Sequence, residues 1–517
     1  MPRRLIVFIL AVFPLVLQAQ STSDPVSPYA DEIVVTASAL EEPLSSVPAA
    51  VSVISRDDLE ARAARDITDA LREVPGLSLS RTGSQGKAVS LFTRGGNSTH
   101  TMVMWNGIKM NNPYFAGYEL GTFSSAGVEK IEVVRGPFSA LYGSDSMMGV
   151  VNILSDSDWT GLNASLEAGE NGLANGQVGG AWASPFLRLD GTVEVRRDDG
   201  FSPNDDIEQS TASGSAIWTI GSVKAGLRVR YNEWDLGIPF NTNATGTEIV
   251  PSLSRRQDGE ELQFHLPIQQ DLGAFSWDLT LSRYDRDDRF ADPEDPFGLL
   301  ESDTESTTDR ARLVTRFRTR ASGTIIAGVE VERGEVDDVT TYGVNLLDEE
   351  RKATSLFIED RYGVSLRNYR LELSAGVRYD DYDTFGSEVS PRLAGALIRG
   401  AHKIRAAYGE GFRAPAIGEL YFPFFGNPGL DPEKSRSIEI GYDHTWRRSS
   451  LSVTLFDNDF DNLIVYDNAA FRFENTGAAE TRGVELGLRS ELSRGFFGGL
   501  SYTWLDTEQA ETGAALL

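Results

Sequence analysis

Side chains that do covalent or acid–base chemistry are thinly spread along this chain. The four histidines, His100, His265, His402 and His444, lie far apart; no pair has helical metal-ligand spacing and no nucleophile motif accompanies them. Cysteine is absent, which removes thiolate ligands and disulfides together. We read no catalytic constellation here and expect no enzyme and no cofactor. Carboxylates are plentiful: Asp198-Asp199, Asp205-Asp206, Asp287-Asp288, Asp292, Glu294-Asp295 and Asp337-Asp338. Hard oxygens on flexible loops can take Ca2+, although none of these clusters has the spacing of a dedicated calcium loop, and charge runs of this kind are usually solvated. The chemistry that remains is that of the main chain. Asp31, Glu32, Ile33, Val34, Val35, Thr36, Ala37 and Ser38 form an octet in which three β-branched apolar residues precede a threonine. Such a run favours an extended backbone. It can add as a strand to the sheet edge of another protein, or serve as the first strand of the domain that follows.

The segments around the octet set its context. Residues 1–19 read as a secretory signal: Arg3 and Arg4, an apolar run from Leu5 to Leu17, and a small residue at Ala19. That run is too short for an ordinary membrane-spanning helix. Residues 20–44 are rich in Ser, Pro and Glu and read as a flexible arm. Residues 45–155 read as a compact α+β domain of ordinary size. Val51–Ile54 is strand-like, Ser55 is a candidate N-cap with Asp57 and Asp58 in the first turn, and a second helix is expected over Ile67–Glu73, before Pro75-Gly76. Short strands are expected at 77–80, 88–93, 101–105, 128–134 and 150–154.

From about Asn163 the pattern changes to alternation with period two, as in Leu187–Arg196, Phe275–Arg283, Leu371–Tyr379 and Ser437–Tyr442. Short turns (184–185, 221–222, 273–274, 323–324, 400–401) alternate with long polar segments (198–210, 235–258, 287–307, 335–349, 415–433). Short turns on one rim and long loops on the other point to an antiparallel transmembrane β-barrel. A sandwich or propeller does not account for that alternation. The low mean hydropathy of −0.25 agrees, because only alternate residues face lipid. About seventeen strands are legible, whereas large plugged barrels have about twenty-two. We therefore expect about five further C-terminal strands, on the order of 100 residues, in a complete barrel; without them two sheet edges stay open. The net charge of −28 argues against nucleic acid as a partner.

A family resemblance now enters on specific residues. Pro75-Gly76-Leu77, Phe92–Gly95, Trp105-Asn106-Gly107, Ile131–Pro137, Ser139–Gly143 and Gly149–Ile153 follow one another in the order and spacing of the plug of TonB-dependent outer-membrane receptors. The octet at 31–38 resembles their TonB box. Gly411–Pro415, Asn427–Lys434, Glu474-Asn475 and Arg482–Glu485 are similar to their barrel, here residues 156–517. Within the family, Phe92–Met110 with Asn97–His100, and Leu420-Tyr421 with Gly426–Pro428, are most similar to the vitamin B12 (cobalamin) receptor branch, although siderophore receptors share most of these motifs.

The resemblance implies a multi-pass barrel in the outer membrane of a Gram-negative bacterium, with the plug inside the lumen. Its partners would be TonB with the inner-membrane energising complex, and outer-membrane lipid and lipopolysaccharide. Its function would be active import of a large scarce nutrient: cobalamin or a related corrinoid, or alternatively a ferric siderophore. A surface adhesin is compatible with this reading; a barrel enzyme would need a rim cluster that the sequence does not show. The arm from Asp31 to Pro48 spans roughly seventeen residues and reaches about 55 Å when extended. The resemblance also implies a latch in which Arg94 and Arg135 of the plug pair with Glu439 and Glu485 of the barrel, planar guanidinium groups being suited to bidentate carboxylate pairing; ordinary solvated charges are the alternative. Substrate contacts are expected at the plug loops 82–86 and 111–118, through Ser84, Gln85, Tyr114, Phe115 and Tyr118, and on the barrel through Tyr421 and Phe424. Those aromatics could equally pack loop on loop.

Overall fold

The computed structural model describes residues 33–34, 36, 40–155, 158–242, 248–295, 298–319, 323–493 and 496–509. Its dominant element is an antiparallel sheet of 17 strands in which each strand pairs with the next along the chain. The hairpin of Phe240–Thr242 and Ile249–Pro251 stands outside it as a separate two-stranded sheet. Among the described residues the terminal strands, Gly161–Ala168 and Phe496–Gln509, each have one neighbour. No described helix is long and apolar enough to cross a membrane.

Alternation decides what each face of the sheet meets. Along Phe275–Asp292, Phe275 and Leu281 point outward and Tyr284 and Arg286 are buried inward. Leu356 and Ile358 point outward from Gly343–Leu366, while Ser355 and Glu359 are buried. Near the short-turn rim the outward face carries Trp182, Phe186, Trp218, Phe317, Tyr369 and Trp446, the aromatic girdle expected at a membrane interface.

Several strands run further than the sequence reading expects. Residues 335–349 are not a loop: Gly323–Thr340 and Gly343–Leu366 meet in a two-residue turn. Residues 287–307 shrink to a connection at 293–299. The polar composition there marks where lipid ends, not where the strand ends. Cross-strand ion pairs, Arg289 with Asp303 and Arg333 with Glu350, continue the ladder above the apolar band.

The N-terminal domain packs a five-stranded sheet, in the order 50–55, 130–135, 149–154, 101–105, 108–109, beside a hairpin of 77–81 and 89–93. Helix α1 (Arg56–Ala61) starts with a capping box between Ser55 and Asp58, and α2 (Ile67–Leu71) is capped by Asp66. Both bury apolar faces against the sheet, in a core containing Leu59, Ile67, Leu71, Trp105, Phe123 and Ile153. Asn106 and Gly107 both take positive φ, +49° and +83°, which suits the tight turn joining 101–105 to 108–109. Helix α3 (Ser139–Tyr142) is fully buried against the barrel.

This domain contacts the barrel from its first strand to its last. Arg65 pairs with Glu167, Lys87 Nζ donates to the Asp206 carbonyl, Lys109 pairs with Glu332, and the Gly76 N–H donates to Thr503 Oγ1. The sheet therefore wraps the domain, which occupies the lumen as a plug.

Candidate ligand chamber, latch and arm

Three arrangements lie along the plug. At the short-turn end is what the structure describes of the octet. Ile33 and Val34 pair antiparallel with Glu42 and Pro43, and Val34 is buried in an apolar cluster with Val47, Val134 and Leu141. Thr36 is fully engaged. Its N–H donates to Glu132 Oε2 at 2.8 Å, its carbonyl accepts from Tyr142 Oη at 2.8 Å, and its hydroxyl accepts from Asn152 Nδ2 at 3.0 Å. Lys130 Nζ ties the Ile33 carbonyl at 2.7 Å. Further along the arm, Arg361 of the barrel holds Glu42, and Lys403 donates to the carbonyls of Leu44 and Val47. The expectation of a free arm is corrected for these residues. An extended segment has unpaired main-chain groups, and the plug floor supplies partners for them. Asp31, Glu32, Val35, Ala37 and Ser38 lie outside the described residues.

Midway, the strand end at Thr93 and the turn after it aim Arg94 at the barrel wall. Arg94 Nε and Nη2 donate to the two oxygens of Glu485 at 2.7 and 3.1 Å, and Nη1 donates to Glu439 Oε2 at 2.8 Å. Arg405 Nη1 holds the other oxygen of Glu439 at 3.1 Å, and the Arg94 guanidinium lies 4.6 Å from the centre of the Phe456 ring. All of these charges are buried. Burial alone would push the Arg94 guanidinium down, but the two carboxylates hold it above its usual value. Arg135 forms an ion pair with Glu485, its Nε 3.6 Å away and beyond hydrogen-bond range, and its Nη1 donates to the Pro75 carbonyl. Burial pushes its pKa down.

At the long-loop end the plug loop 111–118 meets helix α4 (Ile417–Tyr421), which sits in the connection between barrel strands His402–Arg413 and Glu433–Trp446. The first N–H groups of α4 lack partners within the helix. Ile417 and Gly418 donate theirs to the plug carbonyls of Pro113 and Tyr114, each at 2.9 Å. Two cavities flank this joint and share Tyr114 and Phe115. One, of about 480 Å³, is aromatic, with Phe422, Phe425, Tyr466 and Phe473 in its wall. The other, of about 430 Å³, is more polar and is lined by Tyr118, Glu119, Gln257, Arg286, Asp288 and Thr304 among others.

Tyr114, Phe115 and Tyr118 thus line cavities, and Tyr114 Oη donates to Asp338 at 2.9 Å. Ser84 and Gln85 do not. Ser84 donates to Asp205, and Gln85 bonds Asp69 and Arg196, so both serve the plug–barrel seam. Tyr421 packs inward between two small apolar clusters, and Phe424 is 93% exposed on the loop surface. Tyr466 and Phe473 escape a sequence reading confined to the loop segments, because they face each other across the base of the next hairpin. The acidic clusters are engaged with cations and donors: Asp206 with Arg256, Asp292 with Arg255, and Asp338 with Tyr114 and Asn345.

A strand wall filled by an N-terminal plug, with a tethered arm at one end and chambers at the other, defines a plugged barrel receptor. Two family matches agree. Residues 43–150 match the TonB-dependent Receptor Plug Domain, and residues 151–516 match the TonB dependent receptor-like beta-barrel. The chain belongs to the TonB-dependent receptors, outer-membrane transport proteins of Gram-negative bacteria and not enzymes. Among solved structures it is similar to the ferripyoverdine receptor of Pseudomonas aeruginosa (TM-score 0.77, 13% identity, 94% of this chain and 74% of that one). It is also similar to the ferric yersiniabactin uptake receptor FyuA of Yersinia pestis (TM-score 0.72, 12% identity, 90% and 80%). A third similar structure is the copper transporter OprC (TM-score 0.74, 16% identity, 95% and 82%). At these identities the likeness concerns the fold.

Proposed function

We propose that this receptor imports a ferric siderophore, energised by TonB pairing with the segment 31–38. The observation that carries the coupling is the docking of Thr36. A partner that adds a strand needs the main-chain groups of the arm, and the N–H and carbonyl of Thr36 are already bonded to the plug floor. Docked and TonB-paired arms therefore exclude each other, and a ligand in the chambers at the opposite end can act by loosening the floor. The Arg94 cluster serves as the latch that seats the plug. The sequence reading leans to cobalamin; the ferripyoverdine and ferric yersiniabactin receptors among the structural relatives support the siderophore alternative instead.

The test is uptake of radioiron-labelled siderophore by cells carrying Val35→Pro. Proline removes a donor and fixes φ, so uptake is expected to fall to background while binding to the cell surface is retained. Undiminished uptake in this variant rejects the assignment of 31–38.

A further inference from the structure

The aromatic cavity is built, and not simply left open between loops. Phe422 and Phe425 stack with centroids 5.9 Å apart and planes 13° apart. Phe425 meets Tyr466 edge to face at 5.6 Å, and Tyr466 meets Phe473 likewise at 5.7 Å. The main chain pins this series in place: the Phe473 N–H donates to the Phe425 carbonyl at 2.9 Å, and Asn427 Nδ2 donates to the Phe473 carbonyl at 2.9 Å. The ring planes are thus set before anything binds, which lowers the ordering cost of binding. Yet Phe115 remains 47% exposed and Phe425 39% exposed. Both rings line the cavity.

The charges around the chambers are already neutralised inside the wall. Among the described residues Glu419 is the one charged residue lining the aromatic cavity. Both its oxygens are taken, by Arg413 Nη1 and Nη2 at 2.9 and 3.0 Å and by the Ala416 N–H at 2.8 Å. In the polar chamber the one lining cation among the described residues is Arg286. It donates to Glu261 at 2.6 Å and to Asp288 at 2.9 Å, and Glu119 adds a further carboxyl. An anionic ligand would have to break these pairs to find a cation, and it would face the negative π surfaces of the rings. A ring-bearing ligand without negative charge meets no such cost. It gains edge-to-face contacts, or cation–π contacts if it is positive.

We propose that the chambers select a ferric chelate that carries flat aromatic rings and no net negative charge, of the phenolate or heteroaryl class, over polyanionic catecholate and aliphatic hydroxamate complexes. The proposal rests on the siderophore reading and names the ligand class for the same site. Its aromatic plate lies in the cavity walled by Phe115, Phe422, Phe425 and Tyr466, and its polar edge reaches across Tyr114 and Phe115 into the second chamber.

The test is equilibrium dialysis of the full chain in detergent micelles, against protein-free micelles, with three radioiron-labelled probes: neutral ferric quinolinolate, ferrioxamine B and ferric enterobactin. Quinolinolate is expected to be held at least about tenfold more tightly than the other two. Phe425→Ala should weaken it by about tenfold, and Phe425→Leu, which keeps an apolar side chain without a ring, should weaken it by a similar factor. Absence of quinolinolate binding, equal or tighter binding of the catecholate or hydroxamate, or unchanged binding in Phe425→Leu overturns the proposal. Capture of the same protein by the purified C-terminal domain of TonB separates the two readings. If capture persists while quinolinolate is not selected, the ligand class fails and the transport reading stands. If quinolinolate is selected but capture is absent, the transport reading fails.

Discussion

Thr36 shows how one residue can couple a flexible arm to a rigid body. Three of its polar atoms are satisfied by three plug residues, Glu132, Tyr142 and Asn152, so each partner tunes the docked population separately. A neutral hydrogen bond is worth about 1 kcal/mol net. Tyr142→Phe should therefore raise the undocked fraction about fivefold. The chain has no cysteine, so Val34→Cys, buried when docked, reports that fraction by its rate of maleimide labelling; an unchanged rate in the Tyr142→Phe background refutes the role of Tyr142. Glu119 supplies a pH-dependent counterpart at the other end. Burial pushes its carboxyl up to about 7, with a smaller push from the Asp288 carboxylate, although it accepts the N–H groups of Gly121 and Val89 and lies near Arg286. Between the ordinary value of 4.5 and about 7 the folded plug keeps a proton that the unfolded chain has lost. Stability should therefore fall as pH rises through that window and level off above it. Denaturant titrations at stepped pH should show this slope, and Glu119→Gln should flatten it.

At the scale of elements, α4 joins barrel to plug through main-chain bonds. Its short length and its two outward N–H bonds to Pro113 and Tyr114 make the plug loop part of the helix cap. Gly418 allows that approach. A methyl group there would lie 2.7 Å from the Tyr114 carbonyl oxygen and 2.9 Å from its ring, closer than packed atoms tolerate. Gly418→Ala should cost about 1–3 kcal/mol by overpacking and part α4 from the plug loop. Hydrogen exchange at the Ile417 and Gly418 amides should quicken, while that of Thr101–Trp105 stays unchanged. Equal protection in variant and parent would show that the loop yields without losing the joint.

For the whole molecule, the seam between plug and barrel mixes ion pairs with apolar patches, such as Phe138 and Leu141 against Val314 and Phe357. Ion pairs cross it at Arg94 and Lys109, which are buried, and at Arg65, which is partly exposed. Charge pairs return little net stability for their desolvation, but losing one partner is expensive. Such a seam seats the plug in one orientation without fixing it permanently. Arg94→Ala should loosen the plug by less than the roughly 3–5 kcal/mol of a fully orphaned buried charge, because Arg405 stays on Glu439 and Arg135 stays near Glu485. Arg94→Ala combined with Glu439→Gln should cost less than the two single changes summed, measured as chemical unfolding of the plug; strict additivity would exclude coupling through this contact.

Local information sufficed for much of this architecture. Alternation shows which way a side chain faces, so the strands were legible, and Ser55 and Asp58 announce a helix start by their own hydrogen-bonding chemistry. The order of the plug motifs named the family before any contact was known. Tertiary structure decided the rest. The polarity change near residues 335–349 looks like a loop because composition reports the surrounding solvent, while strand length depends on a partner strand. The extended preference of Ile33–Thr36 is local, but its docking partners lie about a hundred residues further on, at Glu132, Tyr142 and Asn152. The aromatic cavity likewise joins Phe425 to Tyr466 and Phe473 through hairpin register. Short-range preferences are properties of a few neighbouring residues; the enclosure of a chamber depends on which distant segments share a rim, and only the wrapping of the sheet around its plug settles that.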